Sequence, residues 1–252
     1  MGTWISHLRI AENLLDRLSG LEEGAFTCGN LAPDSGVPNA DWSAFDPPKE
    51  VTHFLRAGED EGRIKDLEFY RHYVAGLTVE NDPTRYSFML GYFFHLLSDN
   101  VWALRIGRRF KEDYASLFAE RDKNAWWELK KDWYDLDHRY VRDHPDSLYR
   151  RVFMRVPNPP PYLPYLPGEA LSQQLDYIRN YYSNPGARML DRPYPYLNEA
   201  TMARYVDDTT HALLTIHHAL QGGWHPYGMP TALVMLPHDA IAVYPPPLGD
   251  TV

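Results

Sequence analysis

The stretch YSFMLGYFFHLLSDNVWALRI, residues 86–106, is apolar on nearly every face of a helix, and it carries His95 and Asp99 in its middle. A helix that is hydrophobic all round belongs at the centre of a bundle, surrounded by other helices. A bare carboxylate is expensive in such a place, so Asp99 needs a cation, a network of donors or a metal ion. Residues four apart on a helix project the same way one turn apart, so His95 and Asp99 can converge on one ion while the helix holds both. Taken alone, such a pair is more often a hydrogen-bonded core pair than a pair of ligands. Upstream stand three further groups of the same chemistry, His7, Asp34 and His53.

Helical periodicity dominates the rest of the chain. From Trp4 to Leu18, His7, Ile10, Ala11, Leu14 and Leu18 fall on one stripe, with Thr3 as the expected N-cap and Gly20 as the stop. Residues 30–48, NLAPDSGVPNADWSAFDPP, are crowded with Pro, Gly, Asn and Asp, which reads as a long loop carrying Asp34 and leading to His53. FYRHYVAGL gives another helix, NDPT a break and a cap, and a long helix is expected from Tyr86 to Phe110. A further helix is expected over Asn124–Val141, with Trp126, Leu129, Trp133, Leu136 and Tyr140 on its apolar stripe.

Residues 157–170, PNPPPYLPYLPGEA, form a proline-rich connector, read either as an extended wrap over the body or as a linker. LSQQLDYIRNYY and residues 199–220 supply the last helices, and TALVML is a short apolar patch in a Gly- and Pro-rich tail. With no internal repeat and no strand-rich region, the expectation is one all-α domain, a multi-helix bundle spanning residues 1–252.

Several function classes fall away. Among 252 residues, 44% hydrophobic and 23% charged, the longest apolar run is interrupted by His95, Ser98 and Asp99, well short of the ~20 apolar residues of a spanning helix. MGTWISHLRIAENLL lacks the uninterrupted apolar core of a signal peptide. A single Cys, Cys28, excludes an internal disulfide and a thiolate metal cluster, and makes a reducing cytoplasm the expected location. The net charge of −9 disfavours long nucleic acid and anionic membrane as partners. No phosphate-cradling Gly-rich loop and no Gly-x-Ser-x-Gly nucleophile motif occurs.

Any metal site must therefore use imidazole and carboxylate. Such a mixed set suits zinc best, with manganese, iron or nickel also compatible. Three His and two Asp exceed one tetrahedral catalytic site, and with a bridging carboxylate they suit two ions, the usual apparatus for phosphoester hydrolysis. No short-range pattern ties the five together.

SHLRIAENLLDRL, GNLAPDSG, THF and GYFFHLLSDNVW, in that order, resemble the zinc-dependent phospholipase C family, the all-helical group that also embraces the P1-type nucleases. The likeness spans roughly residues 4–141 and is nearest to the uncharacterised bacterial phospholipase C/D-like branch; from about Val152 no motif matches. It implies that His7, Asp34, His53, His95 and Asp99 are metal ligands, that Asp99 bridges two ions, and that Asp34 also serves as general base toward phosphorus. Two departures stand out. Family members use the amino group of an N-terminal Trp as a ligand, whereas here Met1–Ser6 precede His7 and that ligand is missing from the chain as it stands. The family's later His and His-x-x-x-Glu helix are not reproduced either; DWYDLDHRY offers Asp132, Asp135, Asp137 and His138 in their place, read as substituted ligands, a proton donor in Asp137, or salt-bridge partners of Arg side chains.

The expectation is thus a metal-dependent phosphoester hydrolase, plausibly a phosphodiesterase, that uses metal-activated hydroxide on a small phosphoester or lipid head-group, with one or two zinc ions. A P1-type nuclease, a metal-stabilised binding or scaffold protein without turnover, and a metal-free helical interaction protein are the alternatives. Tyr92, one turn before His95, is expected to point toward the metals. His211 and His218, with Asp208, are expected on a solvated helix face, and His72, His144, His225 and His238 are read as structural or exposed.

Overall fold

A computed structural model describes residues 1–40, 44–59, 61–121 and 123–237. The described residues are mostly helical, as the periodicity requires. The α-helices in chain order are α1 (Trp4–Leu15), α2 (Glu23–Gly29), α3 (Lys49–Thr52), α4 (Asp66–Phe69), α5 (Pro83–Trp102), α6 (Arg108–Asp113), α7 (Ala115–Arg121), α8 (Lys123–Asp143), α9 (Gly168–Ser183) and α10 (Glu199–Gln221). No described helix is long and apolar enough to cross a membrane.

The helix starts follow local capping chemistry. Thr3 closes a capping box on α1 with Ser6, each side chain satisfying the other's backbone N–H. Asp82 accepts from the Arg85 N–H at the head of α5, with Pro83 in the first turn, and Asn198 does the same for Thr201 in α10.

Helix α5 is the axis of the molecule: every residue from Tyr86 to Trp102 is buried. It packs most closely on α2, and two glycines allow this. A Cβ on Gly29 would run into the Phe88 carbonyl oxygen, and one on Gly91 into that of Phe26, so the two backbones meet without side chains between them. Helices α1 and α10 pack on each other and on α5, and α8 and α9 close the far side of α1.

Three regions differ from the sequence expectation. The long helix expected to run to Phe110 loosens after Trp102 into a π-helical turn, Ala103–Gly107, before α6 resumes. The loop over residues 30–48 contains a single 3-10 turn, Ala32–Asp34, and a two-stranded antiparallel ribbon of β1 (Val37–Pro38) and β2 (Phe45–Asp46). Helix α1 stops at Leu15 rather than Leu18, leaving Leu18 packed on the core from the following turn.

The connector takes the wrapping form. Leu163 and Leu166 are buried from it, and Tyr162 packs against Phe88. The tail is tied down as well. Asp66 on α4 accepts from the Ala232 N–H at 2.7 Å and from Asn100 on α5 at 2.8 Å, so residues 231–235, which pack on α10, are tied through α4 to the central helix.

Candidate metal centre

The five acid and imidazole groups arrive on four pieces of this frame. His7 projects from α1, Asp34 ends the 3-10 turn after α2, His53 caps α3, and His95 and Asp99 lie one turn apart on α5. Asp34 is nearly buried and the other four are essentially fully so.

Their reactive atoms converge. His7 Nε2 lies 3.3 Å from Asp99 Oδ1; His53 Nε2 lies 3.4 Å from Asp34 Oδ1 and 3.5 Å from Asp99 Oδ2. His95 Nε2 is 3.4 Å from Asp99 Oδ2 and 4.0 Å from Asp34 Oδ1. These spacings exceed those of good hydrogen bonds. Two donors bound at about 2.05 Å to one tetrahedral zinc ion stand about 3.3 Å apart, close to the observed values. Among the described residues, Nε2 of His7, His53 and His95 and Oδ2 of Asp99 are buried without a hydrogen-bond partner. Orphaned polar atoms in a core are costly, and an ion between them removes that cost. Two groups, His7 with His95 and Asp99, and Asp34 with His53 and His95, could each hold a metal ion.

The second layer aims these atoms. His95 Nδ1 contacts the Asn30 carbonyl at 2.7 Å; a carbonyl only accepts, so the proton sits on Nδ1 and the Nε2 lone pair faces the cluster. The close α2–α5 approach at Gly29 and Gly91 brings that carbonyl there. His53 Nδ1 lies 2.9 Å from Thr52 Oγ1, whose own proton goes to the Lys49 carbonyl, so Nδ1 is the donor, and the neutral ring turns the Nε2 lone pair to the cluster. Phe54, directly after His53, adopts a positive φ of 54°, held by its ring against Phe69 and Tyr165.

The carboxylates receive donors from the amino-terminal end. The Gly2 N–H donates to Asp99 Oδ1 at 2.9 Å, and the Trp4 indole N–H donates to Asp34 Oδ2 at 2.8 Å. Gly2 acts here as a backbone amide serving Asp99, and it brings the chain's first residues against the cluster.

The electrostatics agree. Burial pushes the Asp99 carboxyl up, but His95, the amino terminus, and contacts with His53 and His7 outweigh it and hold the group well below the usual range. Asp34 shows the same balance, burial against His53 and His95, with a net lowering. Burial and the neighbouring His95 lower His7, which favours its neutral, ligating form. For His53, burial is outweighed by Asp34 and Asp99, and its value rises. The two aspartates are anions ready for a cation.

Other sequence-predicted residues lie elsewhere. Tyr92 does not face the cluster: its hydroxyl donates to the Thr52 carbonyl at 2.6 Å and its ring stacks on Phe69, because a buried phenol takes the nearest acceptor. Asp132 accepts from Arg192 and from the Tyr196 N–H, and Asp135 pairs with Arg192 and Arg188. Asp137, read as a ligand, proton donor or Arg partner, instead accepts from the hydroxyls of Thr3 and Tyr182. Burial lowers His138 to about 4, and the ring rests against Tyr181 and Tyr182. His211, His218, His72, His144 and His225 are exposed, and Asp208 pairs with Arg105. His238 lies outside the described residues.

The cluster opens through Asp34 and Gly2–Trp4 onto a cleft of about 960 Å³. Arg63, Arg108, Lys111, Lys130 and Lys131 line it together with Trp127 and Tyr177. Glu50, Glu59 and Asp135 line it too, but lysine and arginine outnumber them, so an acidic chain turns a mainly basic wall toward this space, with aromatic faces interleaved among the charges. No family model, no curated protein and no solved structure matches the chain.

Proposed function

We propose that the chain is a metal-dependent phosphoester hydrolase of the phospholipase C and P1 nuclease type, acting on a small anionic phosphoester. The observation that carries this reading is the set of three partnerless imidazole nitrogens and the partnerless Asp99 Oδ2, spaced with Asp34 as donors around a common ion, at the floor of a cleft with a lysine and arginine wall.

The donors divide naturally. His53, His95, Asp34 Oδ1 and Asp99 Oδ2 make a four-donor set. His7 stacks on His95 with ring centroids 3.9 Å apart and planes 10° from parallel, so their in-plane lone pairs run side by side rather than meeting. His7 and Asp99 Oδ1 would then hold part of a second position beside the first. Divalent ions held by these residues would supply Lewis-acid charge and bring the pKa of a water toward ~7.

The chain's own groups do the remaining work. Asp34, at the cleft edge, holds one oxygen toward His53 and the other against the Trp4 indole, which fits it to orient a water and take its proton. The lysine and arginine wall attracts a phosphoryl group and its leaving group, while the overall charge of −9 opposes a long polyanion. Exposed Trp127 and half-exposed Tyr177 give apolar faces to the substrate. These aromatic faces beside Lys130 also favour a second reading, a P1-type nuclease that stacks bases. A side-by-side assay on single-stranded DNA and a lipid phosphodiester separates the two.

Metal analysis of the purified protein and of His95→Ala tests the core of the proposal. One to two equivalents of zinc in the former and a loss of at least one in the latter is the expected result; equal metal content in both contradicts it.

A further inference from the structure

Three consecutive residues at the amino-terminal end each donate to a different carboxylate. The Gly2 N–H reaches Asp99 at 2.9 Å, the Thr3 hydroxyl reaches Asp137 at 2.8 Å, and the Trp4 indole N–H reaches Asp34 at 2.8 Å. Two of the three acceptors belong to the candidate metal centre. The third stands on α8, 134 positions along the chain from Thr3.

Asp137 is an odd choice for a mere core contact. It is 2% exposed, and its oxygens are filled by the neutral hydroxyls of Thr3 and Tyr182, the latter at 2.6 Å. A carboxylate held by hydroxyls in a core costs more than an apolar side chain of the same shape would. What it provides is direction. The Thr3 hydroxyl also accepts from the Ser6 N–H, so its one proton is committed to Asp137, and the segment entering α1 is fixed in both position and rotation. Trp4 leaves that anchored point with its ring edge-on to Tyr177, Tyr181 and Tyr182, which leaves the indole N–H aimed at Asp34.

We infer that Asp137 is a positioning residue for the metal centre, acting through Thr3 to hold the Gly2 and Trp4 donors on Asp99 and Asp34. This rests on the reading of those aspartates as metal ligands. Groups that orient ligating carboxylates and imidazoles typically carry about 10–100-fold of metal affinity.

The experiment is a zinc titration against a competing chelator, on the full chain, for the wild type, Asp137→Asn, Thr3→Val, Trp4→Phe and the double variant Asp137→Asn/Trp4→Phe. Asp137→Asn and Thr3→Val are each expected to weaken zinc about tenfold or more, with the double variant no weaker than the worse single one, because both changes break the same chain of contacts. Thr3→Val keeps the shape of the side chain and serves if Asp137→Asn fails to fold. Tyr182→Phe, which removes the other donor but keeps the ring against Trp4 and leaves the Thr3 contact in place, is expected to stay within about twofold of the wild type. Zinc affinity unchanged in Asp137→Asn and Thr3→Val, or effects that multiply in the double variant, overturns the inference and leaves the metal centre standing. A wild type that takes up no zinc overturns the metal reading and this inference with it.

Discussion

Asp66 and Asp137 are two buried carboxyls that no positive side chain neutralises by a direct contact, and burial pushes each up to about 7. An unfolded Asp titrates near 4, so between about pH 4 and pH 7 the folded chain holds protons that the unfolded chain has released. Their contribution is fully present below pH 4 and is lost as pH rises through 7. Asp34 and Asp99, held below the ordinary value, work the other way: their contribution is present above about pH 4 and is lost on acidification. Between pH 5 and pH 8 the two carboxyls therefore give the stability of the metal-free protein a downward slope, opposed by the buried imidazoles of His7 and His138, whose lowered values work the other way. Asp66→Asn, which also disturbs the contacts to Ala232 and Asn100, removes one titrating group and flattens that slope. Thermal melts across pH 5–8 read this directly, and an unchanged slope in the variant refutes the assignment. At this scale the sequence announced Asp99, because an acid in an all-apolar helix demands partners. Asp137 was legible only in part: it shares the apolar stripe of Trp133 and Tyr140 in DWYDLDHRY, which marks it as the least solvent-like acid there, but its partners Thr3 and Tyr182 lie far along the chain and meet it only through folding.

Helix α5 and the turn after α2 form the element on which the site depends. Gly29 and Gly91 let the two backbones touch, and the Asn30 carbonyl is thereby delivered to His95 Nδ1. Gly91→Ala drives a methyl into the Phe26 carbonyl and the Asn30 amide, neither of which can move without separating the helices. The expected cost is about 2 kcal/mol or more of stability, with weaker zinc binding as His95 loses its orienting contact. Urea unfolding and zinc titration of the one variant check both; a loss below about 0.5 kcal/mol contradicts the packing argument. The helices were legible because capping residues and 3.6-residue periodicity are local: Thr3, Asp82 and Asn198 each start the helix their sequence context calls for. The π-helical turn at Ala103–Gly107 was not, since its sequence, ALRIG, carries no breaker other than its last residue and its form comes from packing on neighbours. The short ribbon in residues 30–48 was hidden by Pro and Asn, which read as loop.

For the whole molecule, the five groups come from four separate segments spread over 93 positions, so no single stretch of sequence states their convergence. Resemblance to a metal-dependent family supplied the set, the physical argument about Asp99 supplied the reason, and the folded chain brings all five within one cluster. Their partnerless atoms carry a cost in the metal-free chain, so zinc is expected to raise the melting temperature and a chelator to lower it by several degrees. The basic cleft and its aromatic wall could not be foreseen, because Arg63, Arg108, Lys130 and Trp127 meet only through tertiary packing. The central claim is that these side chains enclose bound divalent ions. Diffraction at the zinc edge from crystals of the zinc-loaded protein tests it most directly. An anomalous peak about 2.0–2.2 Å from His53 Nε2, His95 Nε2 and Asp99 Oδ2 is the predicted result. Zinc peaks elsewhere with none at this cluster, or the five groups paired with lysine and arginine instead, would contradict it.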